Sequence, residues 1–112
     1  MTTITWDEFA KVELRVGRVI SAEVFPEARK PAYILHVDFG PTIGVRKSSA
    51  QLTDLYTPDA LVGELVVAVV NFPEKQIGPI RSQCLVTGFH RDDGAVVLCQ
   101  PGADVPLGAR LA

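Results

Sequence analysis

Short alternating apolar runs, one long run that must bend, and a helical signal after the third run predict an all-β domain with short helices. The architecture they suit is a five-stranded Greek-key barrel with an N-terminal helix and a C-terminal extension. An open sandwich is the structural alternative. The chain has 112 residues, which fits one domain with one core over residues 1–112.

The elements follow in order. In ITWDEFAKV, Thr5 can cap a short helix, and Glu8, three residues on, can close a capping box. VELRVGRVISAEVF is a long strand, with Val12, Leu14, Val16, Ile20, Ala22 and Val24 on one face. Gly17 is the natural site for a bulge in it. PEARKP is a loop with Arg29 and Lys30 at its tip. AYILHVDFG alternates cleanly, with Tyr33, Leu35, Val37 and Phe39 inward. TIGVRKS is a third strand with Ile43 and Val45 inward. SSAQLTDLYTPDALVG holds a helical turn or two, ended before Pro58. ELVVAVVN is the fourth strand. SQCLVTGF is the fifth, and GAVVLCQ pairs with it through the turn RDDG. The tail PGADVPLGARLA packs as an irregular extension. Such a barrel is of the oligonucleotide- and oligosaccharide-binding (OB) type.

Composition narrows the function. Apolar residues make up 47% and charged residues 21%, ordinary for a folded protein. No apolar run reaches the length of a membrane span. MTTITWDEF lacks the basic and apolar regions of a secretory signal, so a cytoplasmic protein is expected. The net charge is −2 and the pI about 5.6, which argues against a generic nucleic-acid coat. The charge is uneven, however. Lys11 to Lys47 carries seven cations and four acids, whereas Ser48 to Glu74 carries four acids and no cation. Cys84 and Cys99 form no CxxC motif, so two buried free thiols are expected and a metal site is not. His36 and His90 stand beside no nucleophile motif, and no phosphate-cradling glycine loop is present. No enzyme and no cofactor are expected.

The stretch NFPEKQIGPIRSQC, Asn71 to Cys84, holds too many different side chains for a plain connector. In an OB barrel the first and fourth inter-strand loops flank one binding face. The cations Arg29–Lys30, Arg46–Lys47 and Lys75 with Arg81 would then border one concavity. Phe72 or Tyr33 could stack on a base there. A solvated cationic rim with Phe72 plugging the barrel end is the plainer alternative. Phe72, Pro73, Ile77, Pro79 and Ile80 also form an apolar patch in a polar frame, which suits an extended peptide.

KVELRVGRVISAEVFPEA, VRKSSAQL and LVGELVVAVVNFPEKQIGPIRSQCLVTGF together resemble the tRNA-binding domain family. That domain is appended to some aminoacyl-tRNA synthetases and synthetase cofactors. The resemblance runs from about Phe9 to the C-terminus and is strongest to the free-standing, CsaA-like export-related chaperones. It implies an OB-fold homodimer. It implies a non-enzymatic chaperone that binds unfolded or precursor proteins in secretion, with the secretion ATPase as a further partner. A tRNA-binding protein that acts on structured RNA through the same face is the alternative. The implied RNA-binding residues are Arg29, Lys30, Lys47, Ser48, Ser49, Asn71, Lys75, Gln76, Arg81 and Ser82. The implied peptide pocket is Phe72, Pro73 and Ile77, near the dimer seam. Glu74 departs from an RNA-binding pattern, because it sets an acid among these cations.

Overall fold

Strand β1 (Leu14–Val24) organises the molecule, because it is long enough to serve three partners. A computed structural model describes residues 1–112. Helix α1 (Trp6–Ala10) precedes β1, and the expected capping box is present: Glu8 N–H donates to Thr5 Oγ1 at 3.1 Å and Thr5 N–H to Glu8 Oε1 at 3.0 Å. Strands β2 (Tyr33–Asp38) and β3 (Val45–Ala50) follow. After helix α2 (Pro58–Leu61) comes β4 (Leu65–Val69). Then come β5 (Lys75–Ile77), β6 (Ile80–Ser82), β7 (Leu85–Val86), β8 (Gly88–His90) and β9 (Val96–Leu98).

The main sheet is antiparallel in the order β3-β2-β1-β4-β7, and it curls into a nearly closed five-stranded, OB-like barrel. Two hairpins, β5–β6 and β8–β9, project from it. The expected fifth strand is therefore split. Leu85–Val86 pairs with β4, and residues 88–90 pair with β9 instead.

Closure between β3 and the far side uses no regular ladder. Gln83 N–H donates to Lys47 O at 2.8 Å, and Gln83 Oε1 accepts from Lys47 N–H at 3.0 Å. Ser82 Oγ accepts from Ser49 N–H at 3.2 Å. Two side chains thus satisfy strand-edge donors that would otherwise be left open.

Alternation in β2 behaves as expected. Tyr33, Leu35, Val37 and Phe39 are buried, and Leu35 and Val37 are fully so. They pack with Val19, Val66, Ala68, Leu52 and Leu61 in one core.

β1 departs from the expected pattern. Ile20 and Val24 are exposed, and Val19, which simple alternation sets on the opposite face with Arg15 and Ser21, is completely buried. The cause is an extra residue: Val19 pairs with Val37 and Ser21 with His36, so Ile20 bulges out. The side-chain alternation flips there. Gly17 and Val19 face the core before the bulge, and Ala22 faces it after. Gly17 is not the bulge. A Cβ on it would lie 2.5 Å from Val37 Cγ1, so its role is close approach. Val16 faces away from the barrel and is covered by the tail: Gly108 N–H donates to Val16 O, and Val16 N–H to Ala109 O.

Two further expectations are corrected. Val45 is exposed, and β3 instead turns Ser48 and Ala50 inward. The second helix begins at Pro58 rather than ending before it. Thr57 caps it by accepting from Ala60 N–H, and Pro58 fits the first turn, where its missing N–H costs nothing. The helix drives Leu61 into the core at full burial.

Candidate binding face beside the β5–β6 hairpin

The outer face of β3 shows Lys47 and Ser49, both half-buried. The β5–β6 hairpin stands next to it, with Lys75 opposite Ser82, Gln76 opposite Arg81 and Ile77 opposite Ile80. Ser82 fastens the hairpin by holding Ser49 N–H and donating to Cys84 O at 3.3 Å. At the tip, Gly78 has φ +54, a left-handed turn conformation that glycine adopts freely. It lies against the loop after β1, where an added Cβ would be 3.6 Å from Phe25 Cζ and 3.7 Å from Glu27 O. The fourth inter-strand segment and the first loop therefore meet.

Two open grooves flank β5. One, of about 550 Å³, lies among Phe72, Pro73, Glu74, Lys75, Ile77 and Leu85. The other, of about 600 Å³, lies among Glu27, Arg29, Lys30, Lys75 and Gln76. Ser49, Gln51, Lys75 and Ile77 border both. Phe72 is 56% exposed and Leu85 49%, so the first groove offers apolar surface at its rim. Arg29, Lys30, Lys47 and Lys75 make no ion pair. Arg81 does, with Glu74 Oε1 at 3.7 Å. Cys84 lies at the base of the first groove, and burial pushes its thiol up to about 11 against the opposing pull of Arg46 and Ser48. It is therefore a neutral thiol at physiological pH, and its Sγ lies 3.7 Å from Lys47 O.

A family model described as "Putative tRNA binding domain" matches residues 14–110. The chain belongs to the tRNA-binding domain family. The methionine–tRNA ligase of Thermococcus kodakarensis is 38% identical over 112 residues, 99% of this chain. The chain spans only 14% of that ligase. Chaperone CsaA of Bacillus anthracis has a similar structure throughout, with a TM-score of 0.93 at 42% identity over 99% of this chain and 100% of that one. CsaA of Picrophilus torridus gives 0.91 at 44% identity, over 98% and 100%. In both, the likeness to CsaA extends over almost the whole of each chain.

Within this tRNA-binding domain, the expected site residues divide into two groups. Arg29, Lys30, Ser49, Lys75 and Gln76 border the charged groove, and Phe72, Pro73 and Ile77 border the apolar one. Lys47 lies on the same outer face, two positions from Ser49. Several of the expected residues are committed in part or in full to the scaffold, although Ser82 also lines the apolar groove. Ser48 is 1% exposed and points into the barrel. Tyr33, offered as a stacking residue, is buried too, with its hydroxyl donating to Tyr56 O. Asn71 spends both amide atoms on the chain before β1: Oδ1 accepts from Glu13 N–H at 3.0 Å and Nδ2 donates to Lys11 O at 2.7 Å. Ser82 is the hairpin's fastener, and Gln76 Nε2 donates to Gly78 O across the tip. Arg46 donates to Val70 O at 2.7 Å and is likewise committed to the scaffold.

Gln51 and Leu85 border the grooves and were not expected there. The signal for Gln51 was available: it lies two residues beyond Ser49, on the same side of an extended chain. Leu85 follows the same rule against the inward Val86. The histidines stand apart from both grooves just described. His36 Nδ1 lies 2.9 Å from Ser21 Oγ, and His90 is exposed on β8. Of the two cysteines, both free, Cys84 is buried as expected and Cys99 is half-buried. No helix is long and apolar enough to cross a membrane.

Proposed function

We propose that this protein is a non-enzymatic, CsaA-like holder of unfolded polypeptide, acting in the cytoplasm on precursors destined for secretion. The observation that carries this reading is the apolar groove beside β5. Its rim leaves Phe72 and Leu85 about half exposed, with Pro73 and Ile77 between them. Aromatic and aliphatic side chains gain about 1.5–3 kcal/mol each when fully removed from water, so an extended client segment is attracted without being bound irreversibly. The likeness to two CsaA chaperones along the whole chain supports the same reading. Hand-over to the secretion ATPase and pairing into a homodimer complete the proposal.

The test is light scattering of a denatured client diluted from urea. Wild-type protein should delay aggregation, and Phe72→Ala should lose most of that delay. Charge reversal at Lys75 should matter less. Equal protection by wild type and Phe72→Ala would sink the assignment to this groove.

A second reading, binding of structured RNA such as tRNA, is favoured by the adjoining groove. There Arg29, Lys30 and Lys75 converge without acidic partners in ion-pair range. Cations so placed would meet phosphates and release counterions. Lys75→Glu combined with Arg29→Glu should then abolish tRNA retention at low salt. Unchanged retention refutes it.

A further inference from the structure

We infer that Glu74 determines which polymer this face accepts, by holding a negative charge in the apolar groove that opposes nucleic acid. The inference rests on the binding face proposed above and adds a selectivity residue to it.

Glu74 is held at both carboxylate oxygens. Oε1 faces Arg81 Nη1 at 3.7 Å, and Oε2 accepts from Gln83 Nε2 at 3.2 Å. Gln83 is itself fixed to β3. Its Oε1 accepts from Lys47 N–H at 3.0 Å, and its own N–H donates to Lys47 O at 2.8 Å. A chain of contacts therefore runs from Glu74 through Gln83 to the barrel wall. It places the carboxylate in the lining of the groove that also contains Phe72 and Lys75.

Two electrostatic effects follow. The carboxylate partly cancels Arg81, which faces solvent and would otherwise be free for a phosphate. It also repels a phosphodiester chain that crosses from the cationic groove towards Phe72. A neutral apolar peptide segment meets neither penalty. Selectivity built this way works against the wrong ligand rather than for the right one.

Glu74→Gln separates charge from shape, because the amide oxygen can still accept from Gln83. The experiment measures retention of bulk tRNA by wild type, Glu74→Gln and Glu74→Gln/Arg81→Gln, from 50 to 300 mM salt. Releasing Arg81 for one phosphate should tighten binding by up to about tenfold at 50 mM salt, and should steepen the log–log salt slope by about 0.7–0.9. The double variant should return to the wild-type slope. An unchanged slope in Glu74→Gln overturns the inference, as does absence of tRNA retention by every variant at 50 mM salt. A slope that stays steep in the double variant also overturns it, since Arg81 would then not be the released group. Loss of the peptide reading would appear in client protection by Phe72→Ala, measured in parallel and independently of the salt slopes.

Discussion

Gly17 shows how little space the barrel wall leaves. Its missing side chain lets β1 approach Val37 and Phe39, where an added Cβ would fall 2.5 Å and 2.7 Å from their atoms. Both neighbours are at most 1% exposed and have nowhere to move. Gly17→Ala should therefore cost about 1–3 kcal/mol from overpacking, more than the gain from a stiffer unfolded chain. A lowered urea midpoint checks this, and a midpoint at or above wild type would refute it. Cys84 gives a second residue-scale prediction. Burial raises its thiol to about 11 from 9.0, so the folded protein holds that proton more tightly than the unfolded chain. Its contribution to stability is complete below pH 9 and is lost as pH rises through about 11. In the native protein at pH 8, iodoacetamide should modify Cys99 well before Cys84, and mass mapping of the labelled peptides reads this directly. The polar residues teach the opposite lesson to the apolar ones. Asn71, Ser82 and Ser48 have the chemistry of ligand contacts, but the first two satisfy backbone groups and the third lines the core. Nothing in a residue's type separates these uses, because a backbone amide and a ligand present the same donor.

β1 is the element on which sequence pattern and structure part. Alternation presumes a straight strand with period two, and the bulge at Ile20 reverses it midway. The edge of β1 that β2 leaves free, around Leu14 and Val16, is taken by the C-terminal segment. There Leu111 N–H donates to Leu14 O, and Arg15 and Arg110 form an isolated bridge. Ion pairs secure this junction: Glu13 Oε1 meets Arg15 Nη2 at 2.8 Å, and Glu13 Oε2 meets Arg110 Nη2 at 2.9 Å. The hydrogen bond from Arg15 chiefly holds the Glu13 carboxyl below its usual value of 4.5, with the Arg110 charge adding to it against some desolvation. A lowered folded value means that this attachment is complete above pH 4.5 and weakens as pH falls through the folded value. Amide exchange at Gly108 and Leu111, normalised for intrinsic rate, should therefore accelerate in acid. Glu13→Gln should raise it at neutral pH and flatten its pH dependence, and an unchanged profile would dissociate the tail from Glu13. By contrast, the capping box of α1 and the inward set of β2 were legible in the chain. Both depend on residues three or two positions apart, with no distant partner to alter them.

At the scale of the molecule, the apolar surface is not spread evenly. Trp6 is 87% exposed and Leu111 48%, with Ile4 and Val12 also exposed. They belong to the terminal segments that meet where Arg110 donates to Ala10 O at 2.7 Å. A two-fold pairing that covers this end is the arrangement expected of a homodimer. Sedimentation equilibrium at micromolar concentration should give twice the 12.1 kDa chain mass, and Trp6→Glu should shift it to the monomer. A monomer mass for the wild type would refute the pairing.

The sequence by itself determined the all-β barrel with short helices, the inward face of β2 and the cap of the first helix. These are local periodicities and spacings, and each is fixed by covalent distance along the chain. Tertiary structure decided the rest. It turned residues 75–82 into a hairpin, seated Gly78 against the first loop, and so brought Arg29 and Lys30 alongside Lys75. It also diverted Asn71 and Ser82 to backbone partners and turned Ser48 into the core. The physical reason is hydrogen-bond satisfaction: a short strand edge left open by an incomplete ladder must find donors and acceptors somewhere. Here Ser82, Gln83 and Asn71 supply them from far along the chain, and no one-dimensional pattern records that debt.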